Sequence, residues 1–169
     1  MFHLLNKKNR VEKEIAQILI KNSLVISTAE SCTGGLLSSR LTDVPGSSAY
    51  TRLNFVTYSN DIKQNLLGVS FETLEKYGAV SKECAAEMAI GLHSRTNADI
   101  AVCTTGIAGP TGGSPLKPVG LMYVAIKSKY KAVLQEFRLN PHLKRTEMKY
   151  KFTQCALEML LDFLSDING

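Results

Sequence analysis

The sequence predicts an α/β fold, one open sheet with helices set between its strands, on three observations. Three apolar runs end abruptly in clusters of small, hydroxylated or amide-bearing residues: LVISTAESCTGG, FVTYSNDIK and IAVCTTGIAGPTGGSPLKPVG. Open α/β sheets place their ligand sites just past the carboxyl ends of the strands, so three such ends are expected to converge on one pocket. Between the runs lie stretches of helical period, giving alternation of helix and strand. The length of 169 residues suits one domain of ordinary size that buries roughly two thirds of its unfolded surface.

Each element has its own signal. Val11 to Lys21 places Ile15, Ile18 and Leu19 on one helical face, and the β-branched run Leu24 to Thr28 reads as a buried strand. Gly34 to Leu41 follows as a helix, VPGSSA (Val44 to Ala49) as a loop, Phe55 to Tyr58 as a second strand and Asp61 to Leu67 as a helix. A short helix from Phe71 to Tyr77 stops at Gly78, and Ser81 caps a longer one from Lys82 to about Arg95. Asp99 to Thr104 is the third strand. Leu121 to Lys127 and Ala132 to Leu139 form a hairpin turning at Ser128 to Lys131, and Thr146 to Leu164 closes the chain as an amphipathic helix.

Composition narrows the classes. Hydrophobic content of 44% and charged content of 21% are those of a globular protein, and no apolar stretch approaches the ~20 residues of a membrane span. The N-terminus turns polar after Leu5 without a signal-peptide core, so a cytoplasmic location is expected. Cys32, Cys84, Cys103 and Cys155 show no metal-ligand spacing and read as reduced thiols. The net charge of +5 is spread over runs at Lys7, Lys8 and Arg10, at Lys127, Lys129 and Lys131, and at Lys144, Arg145, Lys149 and Lys151. These read as solvated faces, with a nucleic-acid partner the weaker alternative.

The chemistry sits at the three strand ends. Ser31 falls where a strand feeds a helix, ahead of Cys32, Thr33, Gly34 and Gly35, so a hydroxyl and the free N–H groups of a helix N-terminus could share one turn. The competing reading of Ser31 is an ordinary N-cap. His3, His93 and His142 lie outside the motifs, which leaves Ser-His-Asp chemistry and a histidine zinc site without support. Lysine is the next candidate base. With Asn60 as N-cap, Lys63 stands at N3 beside Tyr58 and Ser59, where the helix dipole and burial would lower its pKa; the competing reading is an exposed lysine. The third motif, with Thr105, Gly106, Gly109, Gly112 and Gly113, suits a phosphate- or carbonyl-binding nest to which Lys117 could add a charge, against the alternative of a long flexible loop. Its spacing fits neither the dinucleotide fingerprint nor the P-loop.

At these segments the chain resembles the CinA C-terminal domain family, whose stand-alone members include nicotinamide mononucleotide deamidases of the PncC type. The resemblance runs from about Leu24 to Leu164 and rests on TAESCTGG with VPGSSA, VTYSNDIK with LLGV, GAVS, and TGIAGPTGG with KPVG. It implies a three-layer α/β/α sandwich and hydrolysis of the nicotinamide carboxamide to the acid mononucleotide plus ammonia. It makes Ser31 the nucleophile, Lys63 the base, and Tyr58 and Thr105 supporting groups. Substrate contacts are expected from Cys32, Thr33, Gly34, Gly35, Ser59 and Asn60, from Gly106, Gly109, Gly112 and Gly113, and from Lys117 and Arg145. A small phosphorylated pyridine nucleotide is the expected substrate, with no metal, no cofactor and a homo-oligomeric state.

Two positions depart from the family pattern. Asn54 stands where the family usually has glycine, and asparagine is the residue best able to keep a positive φ there. Arg145 and Lys149 match a pair of arginines four residues apart, and lysine cannot reproduce a bidentate guanidinium contact. No counterpart of the separate N-terminal domain of longer CinA proteins is expected, nor any pyrophosphatase activity of that domain. The rival reading is a non-catalytic binding or partner protein linked to competence or recombination; a third is an enzyme acting on another amide.

Overall fold

The computed structural model describes residues 10–167. His3, Lys7 and Lys8, and the first part of the N-terminal helix expected within residues 1–23, lie outside them. In chain order the elements are α1 (Arg10–Lys21), β1 (Ile26–Glu30), α2 (Leu36–Thr42), a 3-10 turn (Ser47–Ala49), β2 (Thr51–Val56), α3 (Asn60–Leu67), α4 (Phe71–Tyr77), α5 (Lys82–Thr96), β3 (Ile100–Gly106), β4 (Leu121–Ser128), β5 (Ala132–Arg138) and α6 (Arg145–Ile167).

The strands form one five-stranded sheet in the order β2-β1-β3-β4-β5. β1 runs parallel to both β2 and β3, whereas β4 is antiparallel to β3 and β5. The carboxyl ends of β1, β2 and β3 therefore share one edge, and the loop after β3 returns along it into β4.

Alternation along the central strands builds the two sides of the sandwich. Ile100 and Val102 of β3, with Met122, Val124 and Ile126 of β4, face a core completed by Ile15 and Leu19 of α1, Leu37 and Leu41 of α2, and Phe152 and Leu160 of α6. Ala101, Cys103 and Ala125 face the opposite way, onto Leu67 of α3, Leu74 of α4 and Met88 and Leu92 of α5. Helices on both faces of one sheet give the three-layer α/β/α architecture. Small side chains on the second face bring α5 close, and Gly91 brings it closer: a Cβ there would lie 1.6 Å from the Leu67 carbonyl oxygen, so the end of α3 rests directly on α5.

A buried ion pair joins the helices of the first face. Arg40 of α2 donates from Nε to Glu12 of α1 at 2.7 Å, and from Nη1 and Nη2 to Thr153 and Gln154 of α6. Arg40 is 4% and Glu12 2% exposed; all three guanidinium nitrogens are bonded, whereas Glu12 Oε2 has no hydrogen-bond partner among the described residues.

Several boundaries differ from expectation for identifiable reasons. β1 lies two residues later than Leu24 to Thr28 because pairing with β2 and β3 sets its limits; this brings Glu30 onto the strand and leaves Ser31 just past it. β2 begins at Thr51 and ends at Val56, so Tyr58 stands in the following loop. α2 begins at Leu36 rather than Gly34, since Gly34 and Gly35 take φ values of +59° and +89°, outside the right-handed helical region. Asn54 does not adopt the expected positive φ; among the described non-glycine residues only Ser23 and Asn97 do. Its Oδ1 instead accepts from the Thr28 N–H at 3.1 Å, beside the register shift between β1 and β2.

Candidate active site

The three motifs converge. A cavity of about 280 Å³ opens at the shared strand edge, lined by Ser31 and Cys32 past β1, Tyr58 and Lys63 past β2, and Thr105 and Gly106 at the end of β3. Ala79 and Val80 close one side, the loop from Ile107 to Gly112 another, and Arg145 from the start of α6 reaches the rim.

Ser31 is not a helix N-cap. It sits in the turn before α2, its N–H bonded to the Thr104 carbonyl at 3.0 Å. The N–H groups expected to be free for an anion are largely taken: Glu30, fully buried, accepts from Gly35 and Leu37 at 3.0 Å each and from Ser38 at 2.8 Å. A carboxylate of the chain thus occupies the helix N-terminus that the sequence offered to substrate. Thr33 belongs to this arrangement, since its hydroxyl is buried between Glu30 (2.6 Å) and Thr104 (2.9 Å).

Lys63 is buried, at 1% exposure, which removes the exposed-lysine reading. The N-cap of α3 is Ser59 rather than Asn60, so Lys63 stands at N4, one residue deeper than expected, with its N–H on the Ser59 carbonyl. Its Nζ contacts Ser31 Oγ at 3.2 Å, the Thr57 carbonyl at 2.8 Å and the Tyr58 carbonyl at 3.3 Å. Burial lowers its pKa, partly opposed by the neighbouring Cys84 and Cys32 thiols. As a cation Lys63 donates to all three oxygens; as a neutral amine it has two N–H groups for the carbonyls and a lone pair left to accept the serine O–H. Cys32, the other nucleophile type in the cavity, is disfavoured as a thiolate. Burial pushes its pKa up to about 12, with the Glu30 charge adding and a hydrogen bond to Thr104 opposing.

Tyr58 is 62% exposed at the cavity mouth, where its phenol oxygen accepts from Arg145 Nη2 at 3.0 Å. Arg145 Nη1 donates to the Gly109 carbonyl at 2.7 Å, bridging the glycine-rich loop and the β2 side. Thr105 donates to the Ala79 carbonyl at 2.7 Å. The loop also closes on itself, with Gly120 N–H on the Ile107 carbonyl and Ile107 N–H on the Leu121 carbonyl.

Not every expected contact residue lines the cavity. Lys117 points away, its ammonium donating to the Tyr77 carbonyl at the end of α4. Thr33, Gly34, Gly35, Ser59, Asn60 and Gly113 also lie outside the lining, whereas Cys32, Gly106, Gly109, Gly112 and Arg145 are in it. Lys149 approaches Gly34, its Nζ 3.1 Å from where a Cβ would stand. Among the described residues, no group of three or more His, Cys, Asp or Glu side chains could hold a metal ion, and His93 and His142 are away from the cavity.

A family model described as the CinA C-terminal domain matches residues 8–164. The chain belongs to the CinA C-terminal domain family. It is 49% identical over 162 residues to a CinA-like protein of Chlorobium limicola, covering 94% of this chain and 38% of that protein. The chain thus spans about two fifths of the length of that CinA relative. Among solved structures, the competence/damage inducible protein CihA from Agrobacterium tumefaciens superposes with a TM-score of 0.86 at 45% identity, covering 92% of this chain and 95% of that one. A CinA superfamily protein from Klebsiella pneumoniae gives 0.88 at 31% identity, covering 94% and 98%. No helix among the described residues is long and apolar enough to cross a membrane.

Sequence reasoning on this CinA-family chain passed over Glu30 although it stands inside TAESCTGG. An acidic residue next to a small hydroxylated cluster and a glycine pair was the available signal, because a carboxylate can bond the N–H groups of a helix N-terminus.

Proposed function

We propose that this CinA-family chain is an amidohydrolase that deamidates nicotinamide mononucleotide to nicotinate mononucleotide and ammonia. The observation that carries the reading is the Ser31–Lys63 contact at 3.2 Å, made by a buried lysine inside a cavity. Activation of a serine by a desolvated neutral amine needs only these two groups in reach.

In this reading Lys63 Nζ takes the Ser31 hydroxyl proton as Oγ attacks the carboxamide carbon. The tetrahedral intermediate collapses, the C–N bond breaks, and Lys63 returns the proton to the departing nitrogen, which leaves as ammonia. Water, deprotonated by the same amine, then attacks the Ser31 ester and releases the carboxylic acid and the serine. With Arg145 donating to its oxygen, the Tyr58 phenol keeps its own O–H to offer to substrate. Arg145 also supplies positive charge at the rim for the nucleotide phosphate. The same reading keeps the cytoplasmic setting and the homo-oligomer.

The test is product analysis with purified protein and nicotinamide mononucleotide. Equal amounts of ammonia and nicotinate mononucleotide support the amidase. A folded protein that yields neither favours a binding or partner role.

A further inference from the structure

The residue that links the two halves of the Ser31–Lys63 contact is Glu30. Its carboxylate, fully buried, reaches across the turn that carries Ser31 and accepts from the N–H groups at the start of α2 and from the hydroxyls of Thr33 (2.6 Å) and Ser38 (2.5 Å). Its backbone carbonyl accepts from the Thr57 N–H at 2.8 Å, and the Thr57 carbonyl in turn holds Lys63 Nζ at 2.8 Å. One residue therefore fixes the turn bearing Ser31 through its side chain and the support of Lys63 through its main chain.

We propose that Glu30 is a positioning residue that registers Ser31 against Lys63. The proposal rests on the reading of that pair as nucleophile and base, and adds to it what sets their separation. A carboxylate is needed because every group around it is a donor; an amide would turn its own donors toward N–H groups and lose part of the set. The predicted loss falls on the chemical step, since a displacement of about 1 Å between reacting groups costs on the order of 100-fold in rate while leaving substrate binding nearly intact.

The experiment compares wild type with Glu30→Gln, each corrected for folded fraction. It reads kcat and KM for ammonia release, and separately the rate at which Ser31 is labelled by a fluorophosphonate probe, located by peptide mass. Expected is a fall of about 10- to 100-fold in kcat and a matching fall in labelling, with KM within about twofold. A folded Glu30→Gln variant with kcat and labelling near wild type overturns the proposal, as does a loss confined to KM. If Glu30→Gln does not fold, Ser38→Ala, which keeps the carboxylate but removes one donor, carries the test: a several-fold fall in kcat at unchanged KM supports it, and wild-type behaviour overturns it. A wild-type chain that labels at Ser31 but releases no ammonia defeats the amidase reading alone, and the labelling rates then decide. A wild-type chain that does neither defeats both.

Discussion

Lys63 Nζ lies 3.2 Å from Ser31 Oγ, and its two remaining contacts are backbone carbonyls, of Thr57 and Tyr58. Among the described residues no carboxylate bonds this amine, and burial lowers its pKa. In the proposed mechanism the neutral form is the base, so kcat/KM is expected to rise with pH through an apparent pKa below the ~10.4 of a free lysine. Lys63→Arg keeps the charge yet cannot deprotonate, so it should cost about 100-fold or more, nearly as much as Lys63→Ala. Retained activity with an unchanged pH profile would move the base elsewhere, with Tyr58 the next residue to examine.

Arg145 bridges Tyr58 and Gly109 across the cavity mouth, and in the proposed reading it meets the substrate phosphate there. The mononucleotide should exceed the riboside in kcat/KM by about 10- to 150-fold, the equivalent of one charge-assisted contact of ~1.5–3 kcal/mol. Arg145→Ala should erase most of that preference. Steady-state kinetics on both substrates check this, and equal kcat/KM in wild type would remove the phosphate from the site.

Away from the cavity, the Glu12–Arg40 pair tests the first core. Glu12→Gln leaves the buried guanidinium uncompensated and should lower stability by about 3–5 kcal/mol in denaturant titration. Activity per folded molecule should stay at the wild-type level. A loss below about 1 kcal/mol would show that Thr153 and Gln154 alone satisfy Arg40.

Gly91 offers a test of how the second face supports the site. The Leu67 carbonyl leaves no room for a methyl group, so Gly91→Ala must push apart α5 and the end of α3, the helix that carries Lys63. Thermal unfolding should show a destabilisation of at least ~1–3 kcal/mol, accompanied by a lower kcat. An unchanged melting temperature would mean the helices part without cost.

Much of this was legible in the chain because strand ends announce themselves chemically. The small and hydroxylated clusters after Thr28, Val56 and Thr104 placed Ser31, Tyr58, Lys63 and Thr105 around one cavity, and periodicity located all six described helices to within a few residues. What escaped depended on pairing and side-chain reach. The limits of β1 and β2 are set by their neighbours in the sheet. Lys117 has the composition of a phosphate ligand, but its stem reaches Tyr77 instead. Local pattern offered the start of α2 to an anion, yet only three dimensions show that Glu30 already fills it.

Ammonia release from nicotinamide mononucleotide, measured side by side for wild type, Ser31→Ala and Cys32→Ala, decides whether Ser31 is the nucleophile of an amidase. Turnover by wild type, its loss in folded Ser31→Ala and its survival in Cys32→Ala are the predicted result. Near-normal kcat in Ser31→Ala, with Cys32→Ala inactive, would contradict it.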